Sequence, residues 1–147
     1  LAKEDAVAQV AMSRINIIKM SQTAEDAVLR PHDFGAFEHD LRAALAARVA
    51  RLACDEMLAS HYLANAGHYA AVADPAEPGR THKLSTVLNF VDKVSKQTRD
   101  TEAIDIAGLQ AVGISDSDIV RLCELVAFLA YQIRVISGLR LMQGAIL

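Results

Sequence analysis

Leu122-Cys-Glu-Leu-Val-Ala-Phe-Leu-Ala-Tyr131-Gln-Ile-Arg134-Val-Ile136 is apolar on nearly every face of a helix, the pattern of a helix covered all round. Glu124, Gln132 and Arg134 interrupt it and argue against a membrane span. Ser115-Asp-Ser-Asp118 opens the helix, which runs from about Asp116 to Met142. In a chain of 147 residues such a helix needs a second subunit against one side, so a homo-oligomer is expected. An arginine within it must be paired, with Glu124 as one partner in reach. Tyr131 and Arg134, three residues apart, are pocket or ligand-binding candidates, Arg134 as the group that meets a carboxylate.

Working outward, the remaining segments also read as helices. Lys3 to Met20 carries apolar residues at roughly helical spacing, and a short helix capped by Ser21 or Thr23 spans Ala24–Leu29 before Pro31 ends it. Pro31-His-Asp-Phe-Gly35 is a loop. Phe37 to Ala73 forms a long helical region broken near Cys54-Asp55, where Asp55 is a good N-cap. Asp74-Pro-Ala-Glu-Pro-Gly79 is the clearest loop. Thr81 caps a helix to about Gln97, and Thr101 opens another that ends at Gly113.

Composition agrees. Hydrophobic residues make up 52% and aromatics 5%, with three prolines, seven glycines and no Trp. Alanine and leucine dominate the apolar content, favouring close-packed helices, and runs of alternating β-branched residues are lacking. The expectation is one all-α domain over residues 1–147. A net charge of −3 recommends neither nucleic acid nor anionic lipid as a partner. Two cysteines, Cys54 and Cys123, make no disulfide framework and suit a reducing cytoplasm. The start, Leu1-Ala-Lys-Glu-Asp, has no signal-peptide core, and its lack of Met suggests a trimmed chain.

The segment with chemical content is Arg48-Val-Ala-Arg-Leu-Ala-Cys54-Asp-Glu-Met57-Leu-Ala-Ser-His61-Tyr-Leu-Ala-Asn65. Its Cys54-x-x-Met57-x-x-x-His61 spacing resembles the Cys-x-x-Cys-x-x-x-His motif of the AhpD-like (alkylhydroperoxidase and carboxymuconolactone decarboxylase) superfamily. Leu41 to Asn65 is similar to that family's amphipathic helix running into its active-site helix. Leu88-Asn-Phe-Val-Asp-Lys-Val-Ser, Ile104 to Gly113, the Gly113-Ile-Ser-Asp turn and Tyr131-x-x-Arg134-Val-x-x-Gly138 look like its later half. The resemblance covers roughly 41–139 and implies an oligomeric helical domain of about six or seven helices.

In dithiol members the resemblance implies one thiol that attacks peroxide, a second that resolves the sulfenic acid, and a histidine and an upstream glutamate that relay protons. Only a thiolate attacks, and a helix N-terminus stabilises one. Here Cys54 and His61, the catalytic candidates, stand at the first-thiol and histidine positions. Met57, a further pocket or ligand-binding candidate, occupies the attacking-thiol position and cannot ionise. The glutamate position, twelve residues before Cys54, is Arg42. A dithiol cycle within one chain is excluded unless Cys54 finds another partner. Nothing in the sequence brings Cys123 within the roughly 4–7 Å Cα separation a disulfide needs.

Three functions follow. The first is a peroxidase-related antioxidant protein with a single redox thiol, reduced by an external thiol. The second is a carboxymuconolactone decarboxylase-type lyase or isomerase, with His61 as general acid or base on a small carboxylate held by an arginine. The third is a non-catalytic oligomeric binding protein. Each residue also has a plainer reading. Cys54 can fill a helix junction, dulled by Asp55 and Glu56, and His61 can be a hydrogen-bonded core histidine. Tyr62 and Tyr69 can be packing. Arg42, Arg48 and Arg51 can form an anion site with Glu38 and Asp55 as partners, or a solvated, salt-bridged face. His61 and His68 on one helix would stand about 10 Å apart, too far to share a metal. No metal or other cofactor is expected, since no phosphate loop, nucleophile elbow or zinc motif occurs.

Overall fold

The computed structural model describes residues 2–144. Leu1 and residues 145–147, the outer ends of the expected domain and the first residue of the signal-peptide reading, lie outside the described residues. Among the described residues the secondary structure is entirely helical: α1 (Ala2–Met12), α2 (Ile15–Leu29), α3 (His39–Leu52), α4 (Glu56–Leu63), α5 (His82–Lys96), α6 (Ala103–Ala111) and α7 (Asp116–Gln143). Two 3₁₀ segments, Gly67–Ala73 and Thr98–Asp100, complete it. No helix among the described residues is long and apolar enough to cross a membrane.

The helix surrounded on all sides is α3, not α7 as expected. Every residue from Leu41 to Ala50 is buried, and α2, α4, the Gly67–Ala73 segment, α5 and α7 all pack against it. Ala43, Ala44, Ala46, Ala47 and Ala50 make this possible, because small side chains let several neighbours approach at once. Arg42 and Arg48 are carried inside with them, each 2% exposed. A buried guanidinium persists only when its donors are paired, and both are. Arg42 Nε donates to Phe37 O (2.8 Å), Nη1 to Val28 O (2.8 Å) and Nη2 to Phe34 O (3.0 Å). Arg48 grips Asp92 through Nε (2.6 Å) and Nη2 (2.7 Å), and donates to the carbonyls of Val72, Asp74, Pro75 and Glu77. The two arginines fasten the α2–α3 and Asp74–Gly79 loops to the core. Burial of Arg42 and Arg48 replaces the solvated face considered for them, while the salt-bridged reading holds for Arg48 with Asp92 and for Arg51 with Glu56.

α7 is covered only in its first half. Leu122, Leu125, Val126, Phe128 and Leu129 are buried within the single chain, Phe128 at 9% exposure. Tyr131, Val135, Leu141 and Met142 stand exposed further along. Arg134 is exposed too, and no ion-pair partner for it occurs among the described residues, which corrects the expectation of a buried, paired arginine. Upstream, the pattern read as one helix over Lys3–Met20 breaks at Ser13-Arg14, and α2 then runs unbroken through Ser21 and Thr23. Thr23 Oγ1 returns its hydrogen bond to Lys19 O inside the helix instead of capping a new one.

Local signals elsewhere are followed closely. Asp55 accepts from Leu58 N (3.0 Å), Thr81 from Leu84 N and Ser115 from Asp118 N, each capping its helix. α6 starts at Ala103 rather than Thr101, because Glu102 and Asp105 form a reciprocal capping box.

Candidate functional site

The turn between α3 and α4 is a Schellman corner. Asp55 N donates to Ala50 O and Cys54 N to Arg51 O (both 2.9 Å), with Cys54 in the left-handed region at φ 60°. It is the one non-glycine residue with positive φ among the described residues. Cys54 therefore closes α3 and lies before the N-cap of α4, not within the first turn where helix N–H groups gather. Asp55 already takes one of those donors, Leu58 N. The Cys54 thiol is exposed and free, with no hydrogen-bond partner among the described residues.

Asp55 is the better-held group at this corner. Arg140 of α7 binds it through Nη1 (2.7 Å) and Nη2 (3.2 Å). Burial favours the neutral acid, but Arg140 and the Leu58 N–H outweigh burial and hold the carboxyl below its ordinary range. Met57 is 75% exposed, with its sulfur 3.7 Å from Arg140 Nη2. Arg51 pairs with Glu56 at 3.5 Å.

His61 faces a different neighbourhood. It is exposed and lines a cleft of about 350 Å³ with Glu25, Arg30, His39, Asp40 and Asn65. The floor includes Tyr62, whose ring meets the His61 imidazole edge-on at 5.0 Å. Tyr62 OH donates to Gln132 Oε1 (2.6 Å), and Gln132 Nε2 donates to Glu25 (3.1 Å). Burial, then the Glu25 charge, push the Tyr62 phenol well up, so it serves as a fixed neutral donor. Gly67, at φ 49°, lets the following 3₁₀ segment close on Asp40; a Cβ there would collide with the Asp40 carboxylate. Arg30 binds Asp26 through Nη2 (2.5 Å), and its other guanidinium N–H groups carry no protein partner among the described residues.

The sequence candidates thus fall into four places. Cys54 and Met57 are at the exposed α3–α4 corner, outside the cleft that His61 lines. Arg134 lines a separate cavity beside Cys123. Tyr131, 40% exposed, hydrogen-bonds to Ser21 (2.7 Å). Cys54 and Cys123 are both free. Arg42, at the glutamate position, is consumed by three carbonyls. His68 does not share a helix with His61, because α4 ends at Leu63; it packs against Tyr69 instead. Burial and then Glu38 push the Tyr69 phenol up, and Glu38 lies outside the His61 cleft.

Sequence reasoning missed His39, Asp40 and Arg30 as neighbours of His61, and Arg140 as the partner of Asp55. Each contact joins separate helices, and no local spacing signals it. No group of three or more metal-ligating side chains gathers among the described residues. Comparison with family models, with curated proteins and with solved structures finds no match.

Proposed function

We propose that this chain is a peroxidase-related, AhpD-like domain without the dithiol cycle, in which His61 acts as general acid or base on a small carboxylate, in the manner of carboxymuconolactone decarboxylases. One observation carries the reading: of the motif positions Cys54, Met57 and His61, His61 alone lines a cleft. Its surroundings suit the chemistry. Arg30 offers N–H donors to a carboxylate, and imidazole is the side chain most often used to pass a proton to or from a reacting group. Asn65 adds an amide to orient the substrate.

A small-carboxylate panel tests this by calorimetry and by assays of decarboxylation or isomerisation. The expected result is saturable binding to the wild type and turnover lost in His61→Gln, with Cys54→Ser unaffected. Turnover that survives His61→Gln would overturn the reading.

One observation favours the single-thiol alternative. Cys54 is held at a backbone conformation that suits glycine, and such strain gathers at functional positions. Its thiolate would attack the O–O bond of a hydroperoxide, giving a sulfenic acid and an alcohol; one external thiol would then displace water to form a mixed disulfide, and a second would release the Cys54 thiol and leave as the external disulfide. Mass spectrometry after exposure to an organic hydroperoxide decides. One sulfenic acid per chain, absent in Cys54→Ser, supports the alternative, and an unmodified chain eliminates it.

The proposal includes a homo-oligomer. The chain exposes 8833 Å², against roughly 7,400 Å² expected for a compact monomer of its mass. Val135, Leu141 and Met142 on α7 and Val10, Met12, Ile15 and Ile18 on α1 and α2 contribute exposed apolar surface. Val135→Asp should yield soluble monomers by light scattering. An unchanged oligomer would place the interface elsewhere, and a monomeric wild type would remove it.

A further inference from the structure

A second cavity, of about 750 Å³, opens between the C-terminal ends of α3 and α5 and the middle of α7. That volume lies within the roughly 300–1,000 Å³ of small-molecule sites. Its walls are mainly apolar, with Val49, Leu52, Val94, Val126 and Ile133 among them. Its charged lining residues are Lys96 and Arg134, with no carboxylate among them. Lys96 lies in the last turn of α5, where a cation offsets exposed carbonyls. Arg134 stands mid-helix in α7, where no helix end accounts for it, and has no ion-pair partner among the described residues.

The geometry points to this cavity as a binding site for an amphipathic carboxylate, its alkyl chain along the apolar walls and its charge held at the mouth by Arg134 and Lys96. Charge decides the class of occupant: two cations with no ion-pair partner among the described residues, beside an apolar hollow, complement an anion with a hydrocarbon tail. A second copy of the chain is a weaker fit, because the exposed α7 side chains Val135, Leu141 and Met142 do not line the cavity. The site shares no residue with the His61 cleft and goes beyond that proposal, so either can fail alone.

Cys123, in the cavity wall, supplies the reporter. Burial and Glu124 push its thiol up, so labelling belongs at alkaline pH. Decanoate is titrated into full-length Cys54→Ser protein by calorimetry, with alkylation of Cys123 by an uncharged reagent followed in parallel. The expected result is one decanoate per chain and protection of Cys123. Arg134→Gln, at an exposed position, should weaken binding about tenfold with an unchanged circular dichroism spectrum. Decanol should bind weaker by a similar factor. Absence of saturable binding, equal affinity for decanol, or unchanged affinity in Arg134→Gln would overturn the site. So would Cys123 labelling that slows with protein concentration alone, because a second copy would then fill the groove.

Discussion

Two corners of this molecule share one backbone pattern and differ in the residue at the turn. At the α6–α7 corner Gly113 (φ 82°) donates to Gln110 O, and Ile114 donates to Leu109 O. At the α3–α4 corner Cys54 (φ 60°) donates to Arg51 O, and Asp55 donates to Ala50 O. Glycine adopts this conformation without steric cost, whereas an L side chain pays about 1–2 kcal/mol. The corner that holds a cysteine also draws in a long-range ion pair, Asp55 with Arg140. The other draws in distant partners as well, Arg121 with Asp33 (2.8 Å) and the Ala36 N–H on Asp118 (3.1 Å). Tertiary contacts thus fasten both corners, and the residue at the turn is what differs.

The largest predicted effect lies at the opposite end of α3 from the cysteine corner. Arg42→Glu would set a carboxylate against three carbonyls. It should cost more than about 4 kcal/mol and give little folded protein by circular dichroism; a stable variant would mean that the loop can release those carbonyls to water. Next, Asp55→Ala should lose about 2–4 kcal/mol in urea unfolding, since cap and ion pair go together. Ser115→Ala should lose about 1 kcal/mol. Equal losses would erase the distinction between the corners.

Acid should weaken both corners. Asp118 is buried, which favours its neutral form, but the Ala36 N–H, the Ser115 hydroxyl and Arg121 hold its carboxyl down, as Arg140 and the Leu58 N–H do for Asp55. The native carboxylates bind protons less readily than the unfolded ones. Their stabilisation is therefore complete above the ordinary value of about 3.9 and is lost as pH falls through the lower native values. Urea midpoints should fall over that window, and less steeply in Asp55→Asn. A midpoint independent of pH there would deny both pairings.

Smaller effects compare the turn residues directly. Cys54→Gly should gain up to about 1 kcal/mol, and Gly113→Ala should lose about as much. Opposite signs would confirm that the turn conformation is what differs, and a loss in Cys54→Gly would show a packing role for the thiol. His61→Gln, at an exposed position, should change stability by less than about 0.5 kcal/mol. A larger loss would make His61 a structural residue.

Much of the helical frame was legible because its signals are local. Asp55, Thr81 and Ser115 cap as read, Gly113 ends its helix region, and the loops at Pro31–Gly35 and Asp74–Gly79 fall where their glycines and prolines put them. The site was less legible. Cys54, Met57 and His61 follow one another at helical spacing, yet the left-handed turn at Cys54 removes it from the helix that carries the other two. Arg42 and Arg48 carry the charge pattern of an exposed face, and only distant partners, backbone carbonyls for both and the Asp92 carboxylate for Arg48, explain their burial.

The sequence by itself determined the helix ends marked by Asp55, Thr81, Gly113 and Ser115, because a cap or a glycine turn is settled within a few residues by hydrogen bonds to the adjacent backbone; it did not determine the break at Ser13-Arg14 or the unbroken run of α2 through Ser21 and Thr23. It also determined that no helix among those described has the length and apolarity of a membrane span. Only the tertiary structure decided that α3 is the enclosed helix, that α7 is covered in its first half, and that His61 meets His39 and Asp40 while Cys54 does not. Burial and convergence depend on what opposes each face, and the opposing groups come from helices far apart along the chain.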